Sequence, residues 1–220
     1  QDAYATSPDM IETLIYPLVQ QQASIAYARQ IPHKKAGFFP TFAREFNYPD
    51  HSHIRSLDDI SKYGTYTFFC SNSCAAYLND ALDEVEGFPS VLFGEDSVVT
   101  AKLLQRKPRI AYVAEAQVHH SHNYSLKQEF CRHFDMGMSR RIYRQLLSSN
   151  QSENQRGKNY VTALLKKLWQ YSPSLIPYAC LQTLIKWGGY RLGEASVHAP
   201  NAWKKCLSAQ KYYWDNLKKK

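Results

Sequence analysis

Arg109-Ile110-Ala111-Tyr112-Val113-Ala114-Glu115-Ala116-Gln117-Val118-His119-His120 reads as one strand. A second β-like run, Ala23-Ser24-Ile25-Ala26-Tyr27-Ala28-Arg29-Gln30-Ile31, is closed by Pro32. Helices fall around these two runs. Ser7 can cap a helix over 8–22, with Pro8 in its first turn and Met10, Leu14 and Leu18 at helical spacing. Residues 80–85 form a short helix ended by Gly87, and residues 97–105 a longer one with Val99 and Leu103 on one face. Residues 126–147 form another helix, with a break at Gly137. Residues 32–65, rich in Pro, Gly, His and Asp, read as a long irregular stretch of the functional or mobile kind. The segment 66–77 begins strand-like and then reaches Ser71-Asn72-Ser73.

The tail differs in character. Residues 148–158 are polar and linker-like, and 160–171 is amphipathic, with Val161, Leu164, Leu165 and Leu168 on one side and Lys166 and Lys167 on the other. Residues 175–192 are apolar, with Pro177 inside. The whole chain of 220 residues is 44% hydrophobic and 21% charged, as in an ordinary folded protein. Its net charge of +8 is uneven. Residues 1–150 carry 15 Lys+Arg against 16 Asp+Glu, whereas residues 151–220 carry 12 against 3. A near-neutral body and a basic tail imply an acidic partner, either nucleic acid or an anionic membrane surface. No recognised nucleic-acid module accompanies the charge, which ranks nucleic acid last.

Five cysteines, Cys70, Cys74, Cys131, Cys180 and Cys206, include no second pair that would complete a zinc site, so they read as free thiols in a reducing cytoplasm. No signal peptide opens the chain, and no run of about 18 apolar residues suits a transmembrane helix. Gln1-Asp2-Ala3 is neither an initiator nor a leader; the expectation is a chain that begins inside a larger domain.

Two motifs carry chemistry. Phe93-Gly94-Glu95-Asp96 stands just before a helix, where Asp96 can serve as an N-cap. By spacing alone the cap is the stronger reading. The same position can also aim a carboxylate into a cleft as a general base. An acid/base pair made of Glu95 and Asp96 is weaker, because adjacent side chains diverge. Val118-His119-His120-Ser121-His122 ends a strand and sets His120 and His122 on one face of an extended segment. Two imidazoles there suit a divalent metal or a diphosphate, or simply a polar strand end. Ser71-Asn72-Ser73 suits a sugar-hydroxyl site or a plain turn, and Arg29 reads as a surface arginine.

Taken in order, Tyr27-Ala28-Arg29-Gln30, Phe46-Asn47-Tyr48-Pro49, Phe69-Cys70-Ser71-Asn72-Ser73, Gly87-Phe88-Pro89, Gly94-Glu95-Asp96, Ile110–Ala116 and His120-Ser121-His122-Asn123-Tyr124-Ser125 resemble bacterial glycosyltransferase family 2, in its rhamnosyltransferase-like branch. The resemblance runs from Gln1 to about Arg141, and its order is more specific than any single motif. It implies an α/β fold of the GT-A type, with residues 1–147 as the acceptor-side part; residues 148–220 form a basic helical C-terminal region whose lysines and aromatic rings suit either a membrane surface or helices packed on the body or in a dimer contact. It also implies an inverting transferase in surface polysaccharide (O-antigen) synthesis. The branch's leading donor is dTDP-L-rhamnose, and the acceptor is a glycan or a lipid-linked glycan.

By the same resemblance Asp96 matches the catalytic base and Glu95 its partner. Asp2, in Gln1-Asp2-Ala3, matches a carboxylate that ligates Mg²⁺ or Mn²⁺, with His120 beside it. Arg29, His122 and Arg132 match donor- or phosphate-binding positions, and Ser71, Asn72 and Ser73 acceptor-binding ones. The strands that hold the nucleotide base lie upstream of Asp2 in that family. The expectation is therefore poor nucleotide-sugar binding by this chain alone, with the missing half or a second copy as partner. A catalytically inactive subunit acting as an interaction module is the alternative. Cytoplasmic placement, peripheral on the inner face of the bacterial membrane, completes the reading.

Overall fold

In the computed structural model, which describes residues 3–148 and 154–216, the two runs read as strands lie side by side and parallel. Along the chain the first elements are β1 (Tyr4–Ala5), α1 (Met10–Val19), β2 (Ile25–Ile31), α2 (Phe38–Asn47), β3 (His53–Arg55), α3 (Ile60–Tyr63), β4 (Ala75–Tyr77), α4 (Asn79–Asp83), α5 (Glu95–Leu104) and β5 (Ile110–His119). They form a mixed α/β arrangement. The sheet runs β1-β5-β2-β4, with β3 pairing a different stretch of β5 from β1. Only β2 and β5 are parallel; β1, β3 and β4 join antiparallel. The parallel register slips between Ala28 and Arg29, beyond which Arg29 faces Gln117 and Gln30 faces Val118.

Side-chain size explains the packing of α1. Met10, Leu14 and Leu18 form the stripe expected from their spacing, and all are buried. They meet Ala26, Ala28, Ala111 and Ala116, whose small side chains let a helix lie close on the sheet. Aromatic rings gather around Tyr27 and Tyr112, which stand 5.1 Å apart by ring centroids. Arg55 is fully buried among them. Its guanidinium lies 4.5 Å from the Tyr66 ring and 5.5 Å from that of Tyr27, and Nη2 donates to the Phe69 carbonyl at 2.6 Å. A weakly hydrated, planar cation between ring faces is what makes such burial tolerable.

Two sequence expectations fail in this region. The stretch 32–65 contains α2, β3 and α3 rather than irregular chain alone. Pro40 misled the reading, since it sits in the first turn of α2, where its missing N–H costs nothing. The strand expected from Tyr66 is instead a 3-10 turn over Gly64–Phe68, with β4 starting only at Ala75. Tyr66 and Phe68 are buried there. Tertiary packing around Arg55 thus overrides their strand propensity.

The chain divides into two compact units. One contains residues 3–89, 96–123 and 146–148 of the described chain, the other 90–95, 124–145 and 154–216. The second unit is helical: α6 (Leu126–Ile142), then α7 (Arg144–Leu147) at the junction, α8 (Asn154–Tyr171), α9 (Ile176–Ala195), α10 (Asn201–Leu207) and α11 (Lys211–Asn216). The linker expected over 148–158 falls partly outside the described residues, and α8 already begins at Asn154. Ser125 and Gln128 form a capping box at the start of α6. Gly137 does not break α6; it is a contact point for α9, and the helix ends at Ile142. Pro177 stands in the first turn of α9 and so leaves the helix intact. Leu92, Phe134, Met138 and Trp214 form the core of this unit.

Asp135 is buried in the second unit, where its Oδ2 accepts from the Ala209 amide at 2.8 Å. Burial pushes its carboxyl up from 3.8 to about 6, outweighing the hydrogen bonds from Ser208 and the nearby amides. The folded pKa lies above the unfolded one, so stability from this group is full below about pH 4 and falls as pH rises through about 6. Asp135→Asn is expected to flatten that fall, a difference on the order of 3 kcal/mol. Urea unfolding of both proteins at low and neutral pH checks it; parallel profiles would refute it.

Among the described residues all five cysteines are free thiols. No described helix is long and apolar enough to cross a membrane.

Candidate functional site

The turning point of the first motif is Gly94, at φ +78°. Glycine occupies this left-handed region without penalty, and it lets the chain turn sharply into α5. The helix starts at Glu95, two residues earlier than the cap reading requires, so Asp96 lies in the first turn and is not its N-cap. Its Oδ1 accepts from the neighbouring Ser97 amide at 2.7 Å. Its Oδ2 accepts from the backbone amide of Asn72 at 3.4 Å. One oxygen is thereby fixed to the helix and the other lies against the Ser71-Asn72-Ser73 turn.

That turn is held by its own network. The Tyr77 hydroxyl donates to Asn72 Oδ1 at 2.7 Å, and the Cys70 thiol stands 3.4 Å from the same hydroxyl. Gln30, buried at the end of β2, donates from Nε2 to Ser71 Oγ at 2.6 Å. Ser71 Oγ and Ser73 Oγ are 3.4 Å apart, and Ser71 also hydrogen-bonds the Tyr48 phenol. Burial, followed by the charge of Asp96, pushes the Cys70 thiol up to about 12. Burial likewise raises the Tyr48 phenol, with Asp96 adding to the shift. Both groups stay protonated at neutral pH. Cys70 is therefore no nucleophile, and Asp96 is the group in this cluster suited to accept a proton.

The family resemblance singled out Arg29 and passed over its neighbour Gln30. Strand alternation carried the missed signal, because adjacent residues of β2 face opposite sides of the sheet. Gln30 turns to the Ser71 network, whereas Arg29 lies near Tyr112 and Asp50, whose ionisation it favours. Among the described residues Arg29 Nε is buried without a hydrogen-bond partner.

His120 and His122 do come together, edge to face with ring centroids 4.7 Å apart. The His120 backbone is pinned on both sides: its amide donates to the Ile31 carbonyl at 2.9 Å, and its carbonyl accepts from Arg44 Nε at 2.7 Å. Among the described residues no group of three or more His, Cys, Asp and Glu side chains is placed to hold a metal. Asp2 lies outside the described residues. Mg²⁺ and Mn²⁺ take mainly oxygen ligands, which an imidazole pair does not supply. Arg132 sits in the helical unit with its guanidinium between the rings of Phe93 and Tyr124, at 5.3 and 4.8 Å. Glu95, assigned to the same unit, opens α5 beside Asp96 in sequence.

Two clefts accompany these groups, and neither is lined by a residue predicted from sequence. One, of about 630 Å³, lies among α1, β3 and β5 and includes Glu12, Tyr16, His53, Tyr112 and Glu115. The other, of about 590 Å³, is lined by Tyr4, His33, Lys34, Lys35, His119 and Ser121 among others. Its side chains are basic or neutral. Lys34 and Lys35 stand in the turn between β2 and α2, inside the stretch read as irregular, where no motif singled them out.

Comparison with known proteins adds the following. The chain is 36% identical over 218 residues to a Salmonella typhimurium protein named O-antigen chain rhamnosyltransferase RfbN, covering 99% of this chain and 69% of that protein. It is 34% identical over the same length, with the same coverage, to O-antigen chain rhamnosyltransferase WbaN of Salmonella anatum. No family model matches the chain, and no solved structure matches it.

Proposed function

Since the chain belongs to the family of the O-antigen chain rhamnosyltransferases, we propose that it carries the acceptor side of an inverting transferase and that Asp96 is its base. The carrying observation is the Asp96 carboxylate, anchored by Ser97 and directed at the Ser71-Asn72-Ser73 turn. The donor in this reading is dTDP-L-rhamnose, and the acceptor is a glycan or lipid-linked glycan in bacterial surface polysaccharide synthesis. Glycosyltransferase family 2 and the GT-A fold are parts of the same proposal, as is a place at the inner face of the cytoplasmic membrane.

In the proposed reaction the acceptor hydroxyl rests between Asp96 and the turn. Ser71, Asn72 and Ser73 offer hydroxyl and amide groups that can orient a sugar, and Gln30 and Tyr77 fix that turn from behind. Asp96 takes the hydroxyl proton as the oxygen attacks the anomeric carbon. The bond to the nucleoside diphosphate breaks on the opposite side, and one displacement inverts the configuration. Glu95, the neighbour of Asp96 in sequence, is the partner of the base in the same reading. Arg29 and His122 are proposed to meet the donor phosphates. A divalent metal, Mg²⁺ or Mn²⁺, held by Asp2 with help from His120, would supply positive charge to the departing diphosphate.

Rhamnosyl transfer with a lipid-linked glycan acceptor tests the proposal. Release of dTDP should depend on the acceptor, and the product linkage should show inverted anomeric configuration by NMR. Retention of configuration, or the same release without acceptor, would overturn it.

A further inference from the structure

The strongest unused feature of the helical unit is the outer face of α9. This helix has its inward setting fixed by backbone contact. A Cβ added at Gly189 would fall 2.6 Å from the Phe130 carbonyl oxygen, and one added at Gly193 would collide with that of Phe134. Ala179, Gln182, Gly189 and Gly193 are accordingly buried, and Lys186 is tied to Glu129 of α6 at 3.1 Å. Rotation of α9 to bury its other side would break these contacts.

The other side is apolar and exposed. Leu181 is 47% exposed, and Leu184 and Trp187 are each 64% exposed. Pro177 and Cys180 are exposed beside them. These positions recur at three and four residues, so they share one stripe about 15 Å long. Trp169 and Tyr171, at the end of α8 that leads into α9, are 76% and 72% exposed. Monomeric proteins rarely leave such a run of large apolar side chains open to water.

Charge indicates what covers it. The described segment 154–216 carries nine Lys and Arg against two acids, Glu194 and Asp215. Glu194 is ion-paired with Arg191 and Asp215 with Lys205. Arg191 continues the exposed stripe one turn beyond Trp187, and exposed Lys166 lies one turn before Trp169 on α8. A second copy of the chain would bring this positive surface against itself. An anionic lipid surface complements it, and Trp and Tyr are the side chains that settle at the boundary of headgroups and acyl chains.

We propose that the outer face of α9, with the aromatic end of α8, docks in the plane of an anionic bilayer, inserting Leu181, Leu184 and Trp187 below the headgroups. No described helix can span the bilayer, so the contact is interfacial. This deepens the lipid-linked acceptor reading and rests on it for its purpose. Docking can nevertheless be measured without any transfer, so failure of one leaves the other standing.

The test is flotation of the full chain with phosphatidylcholine vesicles and with vesicles that also contain phosphatidylglycerol. The chain should float with the anionic vesicles, and raised salt should weaken that binding. The double variant Leu184→Glu/Trp187→Glu should bind at least about tenfold less, because it replaces two buried apolar contacts by charge. Lys166→Glu should weaken binding about fivefold. Circular dichroism checks that the variants fold. Should they not fold, quenching of wild-type tryptophan emission by brominated lipid gives an independent measure. No flotation of the wild type, equal flotation of the double variant, or absence of quenching would each overturn the proposal. So would a wild-type dimer that Leu184→Glu/Trp187→Glu dissociates while vesicle binding is unchanged.

Discussion

In the transferase whose acceptor side this chain is proposed to carry, with its donor half present, Asp96→Asn is expected to lower rhamnosyl transfer by about a thousandfold, the middle of the range for losing a positioned general base. The substitution keeps the shape of the side chain and an oxygen that can accept from the Ser97 amide, now 2.7 Å from Oδ1. It removes the basicity, since an amide does not take up a proton near neutral pH. Donor affinity should stay within about twofold, because the lost interaction belongs to the transition state and not to ground-state binding. Thermal stability should change little, as Asp96 lies in the first turn of α5 and is not its cap. Single-turnover transfer, donor calorimetry and a melting curve separate these effects. Wild-type-like turnover would sink the assignment of the base. A large loss of stability with proportionate loss of donor binding would return Asp96 to a structural role.

Local sequence carried some of this and not the rest. Met10, Leu14 and Leu18 announced α1 by spacing, and the runs ending at Ile31 and His120 announced β2 and β5 within one or two residues. These elements have one apolar face or a continuous apolar run, and periodicity reports that directly. The pairing of β2 with β5, across residues far apart in sequence, is set by their packing under α1 and left no local mark. Residues 32–65 were misread because Pro and Gly were taken as breakers, although Pro40 stands where a helix accepts it. Near Asp96 the limitation was similar. Gly94 and the carboxylates stood out as a motif, whereas Gln30 and Tyr77 take their places only through contacts with Ser71 and Asn72. Strand alternation sets Gln30 on the face opposite Arg29, but nothing local names Ser71 or Asn72 as the partner.

Gly137 is the case where a residue type was seen and its use mistaken, and it leads to the second large effect. Glycine in a helix weakens it by about 1 kcal/mol relative to alanine, which is why a break was expected there. Here the missing Cβ is what permits α6 and α9 to touch. A Cβ at Gly137 would collide with the Tyr190 carbonyl oxygen, and one at Gly193 with that of Phe134. Those obstacles are backbone atoms inside helices and cannot swing aside as a side chain would. Gly193→Ala is therefore expected to destabilise the helical unit by about 3 kcal/mol, the clash outweighing the gain in helix propensity. With Gly137→Ala added, the loss should reach about 5 kcal/mol, comparable to the whole stability of a small unit. Gly188→Ala supplies the control on the same helix, because nothing lies within 4 Å of its added Cβ. It should be neutral or stabilise by up to about 1 kcal/mol. Urea unfolding of the three proteins, followed by helical circular dichroism, reads the difference. If Gly193→Ala and Gly188→Ala shift the midpoint alike, the two helices do not meet through their glycines, and the fixed setting of the α9 outer face loses its basis.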